Sequence, residues 1–326
     1  MIVADYTNPP LKVPGTQGEL LLNADMSRYT SWRAGGKADR LYTPLDLTDL
    51  CAFLKTLERN EPLHFIGLGS NLLVRDAGLR GTVIHLHGAL RRIDLEQRKT
   101  NGSDSNSPFG VIFAEAGVAS PKLARYAATH DLVGAEFLAG IPGTIGGALA
   151  MNAGCYGHET WEFVTQVLTV NRCGEVNRRS PKEYRVSYRH VEPDAELGEK
   201  LAATCNEWFV GAWFMFPRGD GTQSRLAIKQ LLEKRIASQP LNLPNAGSVF
   251  RNPPGDFAAR LIEACGLKGE KAGNAQISPK HANFVVNLGG AKASDIETLI
   301  DRAQARVAEK FGIKLQREIR ILGDRQ

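Results

Sequence analysis

Glycine clusters constrain this chain more than any other feature. Residues 134–157, GAEFLAGIPGTIGGALAMNAGCYG, hold seven glycines: Gly134, Gly140, Gly143, Gly146, Gly147, Gly154 and Gly157. A stretch so poor in side chains either packs its backbone tightly against the rest of the chain or leaves bare main chain for something flat or charged to approach. The residues alone leave both readings open, and a cofactor is the natural candidate for the second. A smaller cluster, GLGSNLLV at 67–74, follows the apolar run His64, Phe65, Ile66. Small residues at a strand end can turn backbone N–H groups into one concavity that suits a diphosphate, and a plain tight turn is the alternative. The order Gly67, Leu68, Gly69, Ser70, Asn71, Leu72 is not the GxGxxG dinucleotide fingerprint, and a strand is expected after it instead of a helix.

The chain has 326 residues, enough for two or three domains. Its 33 glycines are about one and a half times the usual share. Hydrophobic residues at 43% and charged residues at 23% describe an ordinary soluble globular protein and argue against disorder or a coiled coil. A formal charge of +5 with no basic block makes nucleic-acid binding a weak option. Five widely spaced cysteines, Cys51, Cys155, Cys173, Cys205 and Cys265, suggest neither a disulfide framework nor zinc, and a reducing cytoplasm fits best. No secretory leader and no membrane span is expected, since the longest apolar run, 208–216, is far short of a crossing.

Residues 1–30, with Pro9, Pro10 and Pro14, read as an irregular lead-in. Helical spacing of Leu47, Leu50, Cys51, Leu54 and Leu57 predicts a helix to about Arg59 with Asp46 as its cap, and strands are expected at 64–66, 82–86 and 111–116. Ser120 and Pro121 predict a helix start, with the hydroxyl at the cap and proline in the first turn. Strands at 164–170 and 175–177 flank the turn 171–174, and further strands are expected at 184–188 and 208–216. Turn formers at 217–221 place a domain boundary near 218, dividing 31–218 from 219–326. Beyond it the pattern predicts a helix at 224–238, a helix closed by Gly266 and a strand at 281–287. A last helix with Ser294 and Glu297 in capping-box spacing should end at Gly312, and the final strand should run 313–322.

Several side chains could carry chemistry. Ser248, between Gly247 and Val249, could donate or relay a proton, although a loop serine more often caps or faces solvent. No Gly-x-Ser-x-Gly elbow is present, which disfavours a serine hydrolase. Alternation through Tyr184, Arg185, Val186, Ser187 and Tyr188 sets the rings and Val186 on one face and Arg185 on the other, where it could clamp a carboxylate. Glu318 projects from the polar face of the expected final strand; taken alone, it and Arg185 read equally as solvated strand charges. His85 and His87 form an i, i+2 pair without a third ligand nearby, so no metal is expected.

In chain order these segments resemble the UDP-N-acetylenolpyruvoylglucosamine reductases. The resemblance runs through TSWRAGG at 30–36, GLGSNLLV, GAEFLAGIPGTIGGALAMNAG, YRVSY at 184–188, AGSVFRNP at 246–253, GLKG at 266–269, KHANFVVN at 280–287 and LQREIRILG at 315–323. It implies an α+β fold: a vanillyl-alcohol-oxidase (PCMH)-type FAD-binding domain in two α+β subdomains of about 31–85 and 86–218, plus a C-terminal α/β substrate-binding domain whose final strand returns to the active site. It also implies non-covalent FAD, with the diphosphate at Gly67, Gly69, Ser70, Asn71 and Leu72, and the flavin near Gly140, Ile141, Pro142, Gly143, Thr144, Gly146 and Gly147. Arg185, Ser248 and Glu318 match catalytic positions, and Asn252 a position that contacts the UDP-sugar. The short connection over 189–224 is similar to the family branch without a tyrosine-bearing lid; Asn245 and Arg251 stand where that branch more often has Ser and Lys.

The chemistry implied is reduction of FAD by NADPH, then hydride addition to C3 of the enolpyruvyl ether and protonation at C2. Ser248 would be the proton donor, with Arg185 and Glu318 polarising the carboxylate. The resemblance further implies a cytoplasmic monomer of bacterial peptidoglycan precursor synthesis, taking small molecules and neither nucleic acid nor membrane. Two other readings remain: an FAD-dependent sugar or alcohol oxidase of the same fold, with Cys155 and His158 beside the glycine-rich loop as possible flavin tethers, and a non-catalytic UDP-sugar-binding protein.

Overall fold

Apolar periodicity of both kinds, two-residue and three-to-four-residue, runs through the chain and is realised as a mixed α+β architecture. The computed structural model describes residues 10–96, 107–203 and 206–325. Its first part holds β1 (Glu19–Asp25), β2 (Lys37–Thr43), α1 (Leu47–Leu54), β3 (Leu63–Ile66), β4 (Leu72–Val74), β5 (Leu79–His85), β6 (Ile93–Leu95) and β7 (Phe109–Glu115). Then come α2 (Ser120–Thr129), α3 (Ile145–Ala150), β8 (Gly154–Cys155), β9 (His158–Glu159), β10 (Val164–Asn171), β11 (Val176–Arg179), β12 (Tyr184–Ser187) and β13 (His190–Pro193). The remainder is α4 (Ala195–Ala203), β14 (Glu207–Pro217), α5 (Gly221–Ser238), α6 (Ala258–Ala264), β15 (Lys271–Ala272), β16 (Ala275–Ile277), β17 (Val285–Asn287), α7 (Ala293–Phe311) and β18 (Arg320–Leu322). Among the described residues no helix is long and apolar enough to cross a membrane.

The chain forms two compact units, each assembled from separated segments. The first takes Met1–Leu21, Tyr42–Gly67 and Val83–Glu233; the second takes Leu22–Leu41, Leu68–Thr82 and Lys234–Gln326. The division falls within β1, β2 and β5, whose sheet has the order β1-β2-β5-β3.

In the first unit a five-stranded antiparallel sheet runs β11-β10-β14-β7-β6. Strand alternation buries Ala212, Phe214 and Phe216 of β14 with Ile112 and Ala114 of β7, and α2 lays Leu123, Ala124, Ala127 and Ala128 onto the same core. Full burial of a residue such as Phe214 or Leu123 stabilises by about 1.5–3 kcal/mol, so this face holds the sheet and helix together.

The second unit packs α6 and α7 over the three-stranded sheet β15-β16-β17, and its β18 pairs in parallel with β4. Ile296, Leu299, Ile300, Ala303 and Val307 form the apolar stripe of α7. Trp32 is fully buried and donates through Nε1 to the Val285 carbonyl at 2.7 Å, while Asn287 Nδ2 returns a bond to the Trp32 carbonyl at 2.8 Å. An indole buried with its N–H satisfied fixes the 30–36 segment onto β17.

Several local expectations change. Within the lead-in, residues 19–25 form β1; residues 1–9 lie outside the described chain. Ser120 is not the cap of α2: Ala119 takes that place, Ser120 is the first helical residue, and its buried hydroxyl has no hydrogen-bond partner. The helix after the turn at 217–221 begins at Gly221, because Asp220 Oδ1 accepts from the Thr222 and Gln223 N–H groups. Ser224 of that helix donates to Glu136, and both belong to the first unit, which reaches Glu233. The expected strand at 281–287 is regular only over β17, since the Phe284 N–H turns back onto the His281 carbonyl. The final strand is likewise regular only at β18, although Leu315 and Ile319 are buried as the alternation requires. Gly312 closes α7 at φ +68, in the left-handed conformation expected of it.

Candidate active site

In the first unit, the loop 140–144 leads into α3 and is bound to the N-terminal end of α2. Ser120 N–H donates to the Gly143 carbonyl at 2.9 Å, Ile145 N–H to Val118 at 2.8 Å and Gly146 N–H to Ala116 at 2.9 Å. Close packing around this loop explains three glycines, each of which lies against a neighbouring side chain. A Cβ on Gly146 would lie 2.9 Å from Ala116 Cβ, one on Gly140 2.6 Å from Cys155 Sγ, and one on Gly67 2.2 Å from Thr144 Oγ1. Gly147 differs: it is exposed, and a Cβ there would meet nothing nearer than Thr144 Oγ1 at 3.9 Å. Pro142 is exposed too, Gly143 is half-buried, and Ile141 and Thr144 are buried. Tight packing and bare accessible backbone therefore both occur, at different glycines of one cluster.

Arg185 stands on β12, in the same unit. Its side chain is two-thirds exposed, and Nε lies 3.0 Å from Oε1 of Glu192, the residue opposite it on β13. Glu192 also meets His190 Nε2 at 3.1 Å; those two partners, His190 first, hold its carboxyl below the ordinary value. The alternation read for this strand is realised for Tyr184, which packs on the sheet core, whereas Val186 and Tyr188 are exposed.

The second unit brings Ser248, Glu318 and Asn71 together. Glu318 N–H donates to the Val249 carbonyl at 2.8 Å, next to Ser248, and the Glu318 carbonyl accepts from Asn71 Nδ2 at 3.2 Å. Arg320 N–H donates to the Asn71 carbonyl at 2.9 Å. Arg251 N–H reaches the Gln316 carbonyl at 2.9 Å and Phe250 bridges to Arg317, so the serine loop runs along the last segment. Ser248 and Glu318 are half-buried.

Asn283 locks that loop from beneath. It is buried, its Oδ1 accepts from Phe250 N–H at 3.0 Å, its Nδ2 donates to the Phe250 carbonyl at 2.8 Å, and its own carbonyl takes Val249 N–H. Asn283 lies in KHANFVVN, where the sequence offered the residue but not its role. Asn252 is exposed, and its Oδ1 accepts from Ala258 N–H at 3.1 Å at the start of α6.

Gly69 has φ +67, and a Cβ there would fall 2.0 Å from the Tyr29 carbonyl oxygen, so only glycine fits. Ser31 N–H holds the Gly69 carbonyl at 3.1 Å. Ser70 and Asn71 are half-buried, and Leu72 is buried at the start of β4.

Comparison with known proteins gives this geometry a family. Residues 38–180 match the family described as FAD binding domain, and residues 239–322 match UDP-N-acetylenolpyruvoylglucosamine reductase, C-terminal domain. The chain is 57% identical to the UDP-N-acetylenolpyruvoylglucosamine reductase of Thiobacillus denitrificans over 99% of both chains. It belongs to the UDP-N-acetylenolpyruvoylglucosamine reductases. The reductase of Nitrosospira multiformis is 54% identical over 97% of this chain and 92% of its own. A crystal structure of the Thermus caldophilus enzyme, UDP-N-acetylenolpyruvylglucosamine reductase, superposes with a TM-score of 0.74 at 29% identity, covering 94% of this chain and 99% of that one.

As a member of this family the protein is an α+β FAD oxidoreductase. Its residues fit the cofactor on two observations: Gly147 leaves exposed backbone where a side chain would stand, and Ser120, whose N–H bonds the Gly143 carbonyl, has a buried hydroxyl that lacks a partner.

Proposed function

We propose that this protein reduces the enolpyruvyl ether of UDP-N-acetylglucosamine enolpyruvate to UDP-N-acetylmuramate, with NADPH as reductant, in the cytoplasmic stage of bacterial peptidoglycan precursor synthesis. The observation that carries this reading is the 57% identity spanning 99% of both chains. Gly67, Gly69, Ser70, Asn71 and Leu72 would hold the FAD diphosphate, and 140–144 with Gly146 and Gly147 the flavin. Bound FAD supplies two-electron hydride chemistry between NADPH and the enolpyruvyl C3.

Every other task falls to side chains of this chain. Negative charge builds on the enolpyruvyl carboxylate as C3 is reduced, and a guanidinium and a carboxyl donor stabilise it best if already in place. Arg185 takes the first role and Glu318 the second. Ser248 Oγ delivers a proton to C2, and its placement beside the Glu318 N–H bond to Val249 supports a shared site for those two steps. Asn252 contacts the UDP-sugar, from an exposed position whose Oδ1 accepts from the first N–H of α6.

Anaerobic rapid mixing tests the roles. Ser248→Ala should leave bleaching of the flavin by NADPH within about twofold, and slow its recovery on adding the enolpyruvyl UDP-sugar by at least about a hundredfold, the scale of a lost general acid. Equal loss in both halves would overturn the proton-donor role, and protein that binds no FAD would overturn the function.

A further inference from the structure

The last helix carries a polar stripe that the proposed mechanism does not use. Glu297, Asp301 and Gln304 occur at i, i+4 and i+7 on α7, hence on one face, beside the apolar stripe that packs on the core. Each reaches the final segment. Gln304 Nε2 donates to the Leu315 carbonyl at 2.6 Å, Asp301 pairs with Arg317, and Glu297 pairs with Arg325 at 3.0 Å. Glu297 also takes Nε and Nη2 of Arg75 in a two-pronged pair at 2.9 Å for each bond, and Arg75 Nη1 donates to the Gly323 carbonyl at 2.6 Å.

Arg75 directly follows β4, and its N–H donates to the Leu322 carbonyl at 2.9 Å. The helix thus grips the segment on both sides of Glu318, and holds β4, just before which Asn71 hydrogen-bonds the Glu318 carbonyl. Single exposed ion pairs are weak, but here Glu297 is buried and its partners form a connected network.

We propose that the Glu297, Asp301 and Gln304 stripe of α7 positions Glu318, with Asp301 acting through Arg317 and Glu297 through Arg75. This rests on the assignment of Glu318 to the carboxylate of the substrate. Small errors in the placement of a group acting in the transition state cost far more in rate than in binding. A stripe that merely anchored the chain end would affect both half-reactions alike or neither.

Asp301→Asn and Glu297→Gln in the full-length, FAD-loaded protein are the test, with Asp301→Glu as the conservative control. Glu297→Gln risks misfolding because it leaves Arg75 without its ion pair; Asp301→Asn, at a half-exposed site, keeps the test decisive. Expected is flavin reduction by NADPH within about twofold of the parent, reoxidation by the enolpyruvyl UDP-sugar at least about tenfold slower, and recovery of most of that loss in Asp301→Glu. Independently of turnover, amide hydrogen exchange over 315–325 should quicken by about tenfold or more while β16 and β17 stay protected. Unchanged exchange over 315–325, unchanged reoxidation, or equal loss in both half-reactions overturns the proposal. If Glu318→Gln itself leaves reoxidation intact, the catalytic reading of Glu318 falls instead, and exchange alone then decides whether the stripe holds the segment.

Discussion

Arg185 meets Glu192 across the β12–β13 hairpin, with side chains 66% and 45% exposed. Exposed pairs of this kind contribute only about 0.2–1 kcal/mol, little enough for an incoming carboxylate to displace. Glu192→Gln should therefore lower the KM for the enolpyruvyl UDP-sugar by up to about fivefold, the factor that pairing energy allows, and leave flavin reduction by NADPH unaltered. Steady-state kinetics checks this, and an unchanged KM would mean that Glu192 does not compete for Arg185. The glycines separate in the same residue-by-residue way. Gly147→Ala adds a methyl where nothing stands within 3.9 Å and removes a flexible residue from a helix, worth up to about 1 kcal/mol in its favour. Its melting temperature should hold or rise while FAD affinity, read by flavin fluorescence, falls. Gly69→Ala should do the reverse first, losing at least about 1–2 kcal/mol to the left-handed backbone and more to the Tyr29 carbonyl in its way. In the sequence these two glycines look alike; only the fold sets Gly69 against the Tyr29 carbonyl and leaves Gly147 in open space.

At the scale of elements, sequence periodicity is followed closely where packing is local. The apolar run 208–216 lies within β14, and Asn171 to Gly174 turns between β10 and β11 as its residues require. Helix starts are less legible, because the cap can come from elsewhere. Ser294 and Glu297 have capping-box spacing, yet the bond back to the N-cap Lys292 N–H comes from Asp295 Oδ2 at 3.0 Å, and Asp76 adds a cap from outside the helix, its Oδ1 and Oδ2 accepting from Ala293 N–H at 2.8 Å and Ser294 N–H at 2.9 Å. Burial works to raise the Asp76 pKa, but the bonds from Ser294 and Ala293 outweigh it and hold the carboxyl below its ordinary value. Asp76→Ala should cost about 1 kcal/mol, within the usual range for a lost cap, and Asp76→Asn less, as denaturant unfolding would measure. Glu297, free of capping, is available for Arg75 and Arg325. Regular pairing at the chain end shrinks to β18 for a related reason: the residues before it bond to the loop at 249–251, an irregular partner that alternation cannot reveal.

For the molecule as a whole, a half-buried histidine couples stability to pH. Desolvation first, and then the neighbouring His87, pushes His85 down from 6.5 to about 4. Its folded pKa is depressed, so its contribution is complete above about 6.5 and declines as pH falls toward 4, because only the unfolded chain takes up the proton there. The slope is about 1.4 kcal/mol per pH unit within that window. His85→Gln should flatten stability between pH 6.5 and 4 by up to that slope, measured by chemical unfolding across the range. Eight ordered motifs, the glycine clusters among them, sufficed in the sequence to establish the family, the α+β class and the FAD, since cofactor backbone contacts demand particular residue types in particular order. Ser248 and Glu318 were recognisable as positions but not as neighbours. The tertiary structure alone decided that 22–41 and 68–82 join the C-terminal unit, that Glu318 hydrogen-bonds beside Ser248, and that α7 grips the last segment. Those contacts join residues tens to hundreds of positions apart, such as Trp32 and Val285, and their energy comes from burial and hydrogen bonding in the packed chain, which local periodicity does not encode.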